Sequence, residues 1–314
     1  MSAAEPGDLE RRYAAELAWA AAHTTITGPP TARERPWSTV LCLPTPTGPV
    51  WLKATAPAAR AEVGLYGVLA ARAPRAVLVP LARDEDRGWL LLPDGGPTLR
   101  DGPPGQVAAA VAAAMPVYAA LQRAVAPARA EVLAAGVPDA SPAALPARLE
   151  EALAVTGLDD DVPRRRGLVA RWAGELADGP GADLVTVDHQ DLHPGNVLSA
   201  TPEHGPRFYD WGDAVLAHPF ACLLVALGGL ARTLGVAPDD PAVTTARDAY
   251  LDGFSDLAGH DDLVRAAVLA CRAAVVARAL TWHRAVGAVP EHPFAGAPRS
   301  TLATLGNPSP FDAV

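Results

Sequence analysis

Lysine is almost absent from this chain of 314 residues: 25 of its 26 basic side chains are arginine, and Lys53 is the exception. A lysine-poor coding bias could leave one by chance, or position 53 could exclude a guanidinium. Cysteine is nearly as scarce. Cys42, Cys222 and Cys271 are odd in number, widely spaced and without a CxxC pair, which speaks against a disulfide scaffold or zinc site and fits reduced thiols in a cytoplasm. Basic runs are missing apart from Arg164, Arg165 and Arg166, and the net charge of −9 argues against a nucleic-acid partner, since phosphate backbones need a basic patch. The start, Met1 to Asp8, lacks the basic and apolar regions of a signal peptide. The apolar segment from Pro219 to Leu230 is too short to span a bilayer, so a soluble protein without a membrane partner is expected.

What is present is concentrated in one stretch, Val187-Asp188-His189-Gln190-Asp191-Leu192-His193-Pro194-Gly195-Asn196-Val197-Leu198, with Asp210-Trp211 following fourteen residues past Asn196. One carboxylate, an amide five residues on and a second carboxylate after a short hairpin can surround a triphosphate with a general base and two Mg²⁺ ligands. Phosphoryl transfer passes through a loose transition state, so the protein's work is positioning and charge. Asp191 suits the acceptor hydroxyl and Asp210 the metal. Asn196 offers a neutral hard oxygen for a second metal position without adding negative charge beside phosphates. His189, two residues before the base, braces the loop.

Lys53 lies in the apolar, strand-like run Val50-Trp51-Leu52-Lys53-Ala54-Thr55, where a compact ammonium could reach phosphates that a guanidinium fork would overshoot. The only carboxylate between it and Asp84 is Glu62, which opens a helical pattern through Leu65, Tyr66 and Leu69. Glu62 is therefore its natural partner. Together with the loop, chance no longer explains the single lysine.

From the strand lysine, the helix glutamate, the linker Leu90 to Gly96, the loop His189 to Asn196 and Tyr209-Asp210-Trp211, the chain resembles the aminoglycoside phosphotransferase and choline kinase group over roughly residues 35 to 285. The resemblance implies an α+β, bilobal protein-kinase-like fold, with a small antiparallel-sheet lobe at 1–94 and a larger, mainly helical lobe at 95–314. It implies Asp191 as catalytic base, Asn196 and Asp210 as Mg²⁺ ligands, and Lys53 on the α- and β-phosphates of ATP or GTP while paired to Glu62. At the hinge it implies that the Pro93 carbonyl accepts from the adenine amino group and the Gly95 N–H donates to the ring. Two positions depart from the family: Gln190 replaces a glycine, and Arg33 to Thr39 stands where a glycine-rich loop would cover the phosphates.

The elements read consistently with two lobes. Leu9 to His23 patterns as one helix, Val40–Pro44 and Val50–Thr55 as a hairpin, and Val77–Leu81 and Gly88–Leu92 as another strand pair, before Pro93-Asp94-Gly95-Gly96-Pro97 breaks the pattern. Alanine-rich segments at 106–125, 146–154 and 163–177 are helical by propensity. After Asp210 the chain runs directly into an apolar segment, leaving no room for an activation segment and pointing to a small-molecule acceptor. Asp213 braces the loop and His218 caps or packs. An acidic tract at Asp239, Asp240, Asp248, Asp252, Asp256, Asp261 and Asp262 suggests a cationic acceptor, aminoglycoside-like or another amine, and raises antibiotic resistance as a family-level role; Trp172, Trp282 and His283 are further candidates for its pocket. Two other readings remain open: a catalytically inactive nucleotide- or metabolite-binding protein, and a metal-dependent hydrolase built on Asp188, His189, Asp191 and His193.

Overall fold

The computed structural model describes residues 7–307, so the reading of Met1 to Pro6 lies outside the described residues. The chain opens with α1 (Asp8–Arg12) and α2 (Ala14–Ala21). The single helix expected there is broken at Tyr13, whose backbone leaves the helical region at φ −111° and whose hydroxyl donates to Glu34.

Five antiparallel strands follow: β1 (Thr31–Arg35), β2 (Ser38–Leu43), β3 (Val50–Thr55), β4 (Ala82–Asp84) and β5 (Trp89–Pro93), in the order β1-β2-β3-β5-β4. The hairpin between β2 and β3 is as expected. Strand periodicity decides what β3 presents to each side: Val50 and Leu52 pack with Leu41, Leu43, Leu91 and Tyr13, while Lys53 points to the opposite face. Against that face lies α3 (Ala61–Arg72), burying Val63, Leu65, Tyr66 and Leu69.

The expected strand at Val77–Leu81 does not form. Val77 and Leu78 instead enter the main core, Val77 bridging Phe208, and the β5 partner begins at Ala82. A short apolar run satisfies a buried loop as well as a strand, and periodicity alone cannot separate them.

Beyond Pro93 helices dominate: α4 (Pro104–Val125), α5 (Arg129–Ala134), α6 (Leu145–Thr156), α7 (Val162–Asp178), α8 (Leu223–Leu234), α9 (Pro241–Leu251), α10 (His260–Val286) and α11 (Ala297–Ala303). Two short ribbons are set among them. β6 (Thr186–Asp188) pairs with β9 (Val215–Ala217), and β7 (Val197–Leu198) with β8 (Arg207–Phe208). The architecture is a small antiparallel sheet followed by a larger helical part, an α+β kinase-like fold.

One helical stretch among the described residues, Gly105–Ala134, is long and apolar enough to cross a membrane, longer than the apolar segment singled out in the sequence. It contributes Val107, Val111, Met115, Tyr118 and Leu121 to the core, and its length and apolarity follow from alanine content and packing.

Candidate active site

The two ribbons hold the ends of two loops, 189–196 and 209–214, against β3 and α3. Lys53 Nζ lies 2.6 Å from Glu62 Oε2 and 2.5 Å from Asp210 Oδ1. Burial disfavours the ammonium, but Asp210 and Glu62 outweigh it and raise the Lys53 pKa above its ordinary value. For Asp210, burial raises the pKa, yet the adjacent Lys53 prevails and the carboxyl is held low. Asp210 sits at φ 65°, a left-handed conformation that aspartate tolerates better than most residues, and its side chain is 44% exposed to the cleft.

Around Asp191 the loop is fixed from three sides. Asn196 Nδ2 donates to the Asp191 carbonyl at 2.8 Å and to Oδ2 at 3.1 Å, His193 Nε2 stands 3.4 Å from Oδ2, and Arg278 Nη2 stands 3.3 Å from Oδ1. Burial pushes the Asp191 carboxyl up, but the His193 hydrogen bond and the Arg278 guanidinium overcome it and hold it well below the usual carboxylate range. The His193 tautomer is set by Gly195, whose N–H donates to Nδ1 at 3.0 Å, leaving the proton on Nε2 facing Asp191.

His189 is buried and takes no part in the cleft. Its backbone N–H donates to the Tyr118 hydroxyl at 3.0 Å, Nε2–H donates to the Tyr209 carbonyl at 2.8 Å, and its ring lies tilted against Trp211 with centres 4.5 Å apart. It ties the two loops together, and burial lowers its pKa. His218 caps the turn at Pro219–Cys222, its Nδ1 accepting from Phe220 N–H at 3.3 Å.

Gln190 adopts φ 61°, a left-handed conformation that glycine, the residue the family resemblance implies at this position, reaches at no steric cost. Its backbone N–H donates to Asp188 Oδ1 at 3.0 Å and its side-chain Nε2 to Oδ2 at 2.6 Å, so a buried carboxylate clamps the strained residue. Burial pushes Asp188 up to about 6 despite these bonds. With Asp188 and His189 both committed to the scaffold, the set Asp188, His189, Asp191 and His193 does not converge on one point, and among the described residues no three His, Cys, Asp or Glu side chains are arranged to hold a metal. Among the described residues the hydrolase reading finds no ligand cluster.

The cleft between sheet and helices encloses about 630 Å³. At one end lie Pro93, Asp94, Gly95 and Leu198. A Cβ on Gly95 would come within 2.5 Å of Leu198 Cδ1, so only glycine lets the linker lie on β7. The Trp51 Nε1–H donates to Asp94 Oδ1 at 2.9 Å and fixes the linker from the sheet side. Along the roof, the β1–β2 hairpin places Arg33, Arg35, Trp37 and Ser38 over the cleft in place of a glycine-rich loop.

Arg278 was not singled out by sequence, and it is the residue that joins the site's parts. From α10 it donates to the Gln190 carbonyl at 2.5 Å, pairs with Asp191 and reaches Asp213 Oδ2 at 3.5 Å. Asp213 is pushed up by burial to about 6, and Arg278 and Arg284 keep it from rising further, so Asp213 acts as a brace. The spacing of Arg278, Trp282 and Ala285 marks one helical face, but nothing local says what that face meets.

Of the acceptor candidates only Trp282 lines the cleft. Trp172 is in the core, and none of the acidic tract reaches the cleft. Asp240 caps α9 through Ala242 N–H at 2.8 Å, Asp248 pairs with Arg247 at 2.7 Å, Asp256 with Arg123 at 2.7 Å, and Asp262 with Arg265. These carboxylates serve helix ends and surface pairs, as such residues commonly do.

Residues 31–263 match the model of the phosphotransferase enzyme family, and the chain belongs to that family. That places it among phosphotransferase enzymes. Among solved structures it is similar to a macrolide 2'-phosphotransferase type I (18% identity, TM-score 0.62, covering 97% of this chain and 99% of that one). It is also similar to a choline/ethanolamine kinase family protein from Mesorhizobium loti (17% identity, TM-score 0.63, 98% and 97%). A third is an amicoumacin kinase in complex with AMP-PNP, Ca²⁺ and Ami (14% identity, TM-score 0.58, 95% and 93%). No curated protein matches the chain.

Proposed function

We propose that this protein transfers the terminal phosphoryl group of ATP or GTP to a hydroxyl of a small molecule, with Mg²⁺, in the cytoplasm. The observation that carries the reading is the placement of Lys53, Asp191, Asn196 and Asp210 around one cleft, although they come from segments up to 157 residues apart. The sheet lobe ends and the helical lobe begins at Asp94 and Gly95, and the nucleotide lies at that seam. Pro93 offers a carbonyl acceptor and Gly95 an N–H donor to adenine, with Leu198 as an apolar floor. Lys53 binds the α- and β-phosphates while Glu62 holds it, and Arg33 and Arg35 cover the phosphates from the hairpin.

The donor set fits Mg²⁺. Asn196 turns its amide N–H groups to Asp191, leaving its carbonyl oxygen for a cation, and Asp210 presents a half-exposed carboxylate. When bound, the ion would neutralise phosphate charge. Asp191 is ionised and too weak a base to strip a free hydroxyl in advance. It orients the acceptor oxygen and takes the proton as the phosphoryl group transfers, which a loose transition state requires. Arg278 holds it in that pose.

Retention of all five polar groups with their partners intact speaks against an inactive binding protein. Nucleotide consumption measured across amino alcohols, sugars, nucleosides and antibiotics tests the proposal; acceptor-dependent turnover that vanishes in Asp191→Asn supports it. Wild-type turnover in that variant would overturn it.

A further inference from the structure

From Asp191 a continuous chain of side chains leads away from the linker end of the cleft. The Arg278 guanidinium lies 4.8 Å from the Trp282 ring centre, Trp282 lies 5.5 Å from Phe294, Phe294 5.5 Å from His292, and His292 6.0 Å from Trp37 in the β1–β2 hairpin. Trp37, Trp282, Ala285 and Phe294 line the cleft, and Phe294 remains 53% exposed, so the wall is apolar and open. A helix face, the segment after α10 and a turn of the sheet lobe build it jointly. The stacking of Arg278 fixes the Trp282 ring at the point nearest Asp191.

Charge at this end is already balanced. Asp191 and Asp213 both face Arg278, and the Arg284 guanidinium also donates to the Asp213 carbonyl at 3.1 Å. The other carboxylates of the cleft are engaged as well: Glu62 and Asp210 with Lys53, and Asp94 with Trp51. A polyamine entering beside Asp191 would meet carboxylates already paired with Arg278 and Lys53, while Asp94, held only by a neutral indole N–H, lies at the far, linker end of the cleft.

We infer that the acceptor is a hydroxyl compound with a broad apolar face, aromatic or macrocyclic, that stacks on Trp282 and Phe294 beneath Trp37 and needs no cationic amine. The inference rests on the phosphotransfer reading for its orientation, with the hydroxyl beside Asp191. Aromatic walls of this kind give affinity through area and ring geometry and leave specificity to the polar group at the far end.

Calorimetric titration separates the two. A nitrophenyl glucoside, a flavonoid glucoside and a hydroxylated macrolactone are titrated into the Mg·ADP complex alongside kanamycin, and the same compounds are then offered with Mg·ATP. At least one neutral compound should bind more tightly than kanamycin, and its Kd should rise about 10-fold or more in both Trp282→Ala and Phe294→Ala. Binding should survive in Asp191→Asn. Tighter binding of kanamycin, a Kd indifferent to both substitutions, or no binding by any neutral compound would overturn the inference. Binding that follows the aromatic wall without phosphoryl transfer would leave the subsite standing and count against the phosphotransfer reading instead.

Discussion

Lys53 Nζ and Asp210 Oδ1 stand 2.5 Å apart across 157 residues of sequence, so the third strand of the sheet and the loop after β8 share one ammonium. The link makes position 53 intolerant of shape as well as of charge. The Lys53 side chain is only 10% exposed, and a Cβ at Gly212 would already lie 3.6 Å from its Nζ. Lys53→Arg should therefore lower kcat/KM nearly as far as Lys53→Ala, on the order of 100-fold or more, because a planar fork cannot occupy a point-charge site. Steady-state kinetics of the two variants check it; near wild-type activity in Lys53→Arg would return the scarcity of lysine to codon bias.

The division of labour proposed for the two loop aspartates would separate binding from turnover. Asp191→Asn should leave Mg·nucleotide affinity nearly intact and lower kcat by roughly 10²- to 10⁴-fold, whereas Asp210→Asn should weaken nucleotide binding too. Titration of both variants with Mg·ADP decides between them, and equal losses of affinity would contradict the assignment.

Gln190 carries a left-handed backbone that glycine would adopt at no steric cost, a relief of about 1 kcal/mol. Its side chain, however, satisfies the buried Asp188 Oδ2 at 2.6 Å, and an unsatisfied buried carboxylate oxygen costs about 1–3 kcal/mol. Gln190→Gly should consequently lower the urea midpoint. A rise would show that backbone strain outweighs the clamp.

Asp188 also makes stability depend on pH. Its folded pKa of about 6 lies above the ordinary 3.8, so between those values the folded chain binds more protons than the unfolded one, and stability falls as pH rises through that window. The cost is complete above pH 6, on the order of 3 kcal/mol for a shift of this size. Asp188→Asn, whose Oδ1 still accepts from the Gln190 N–H while its Nδ2–H donates to the side-chain oxygen of a flipped Gln190 amide, should gain stability relative to the wild type at pH 7.5 and much less at pH 4.5. Thermal melts at the two pH values test this, and an equal difference at both would exclude Asp188 as the source.

Gly95→Ala should push Leu198 into the nucleotide end of the cleft, since the new Cβ would meet Cδ1 at 2.5 Å. The KM for ATP should rise about 10-fold with kcat less affected, and Leu198→Ala should restore part of the loss in the double variant. A double variant no better than Gly95→Ala would place the damage elsewhere.

The sequence by itself determined the chemistry of the loops. Asp191, Asn196 and Asp210 sit within about twenty residues of one another, on a backbone whose turns and short ribbons are local, so residue type and spacing already point to the phosphoryl-transfer arrangement proposed for them. The hairpin carrying Lys53 was legible for the same reason: period-two alternation settles which face each residue takes. Tertiary structure alone decided what meets those loops. Arg278 reaches Asp191 from 87 residues away, and Trp37, Trp282 and Phe294 form one wall only because a sheet turn and the end of α10 converge. It also showed Asp240, Asp248, Asp256 and Asp262 of the acidic tract turned to a helix cap and arginine pairs, and Val77 drawn into the core rather than into a strand. A helix pattern states that one face is buried and does not name the partner, because that choice is made by long-range packing and not by neighbours along the chain.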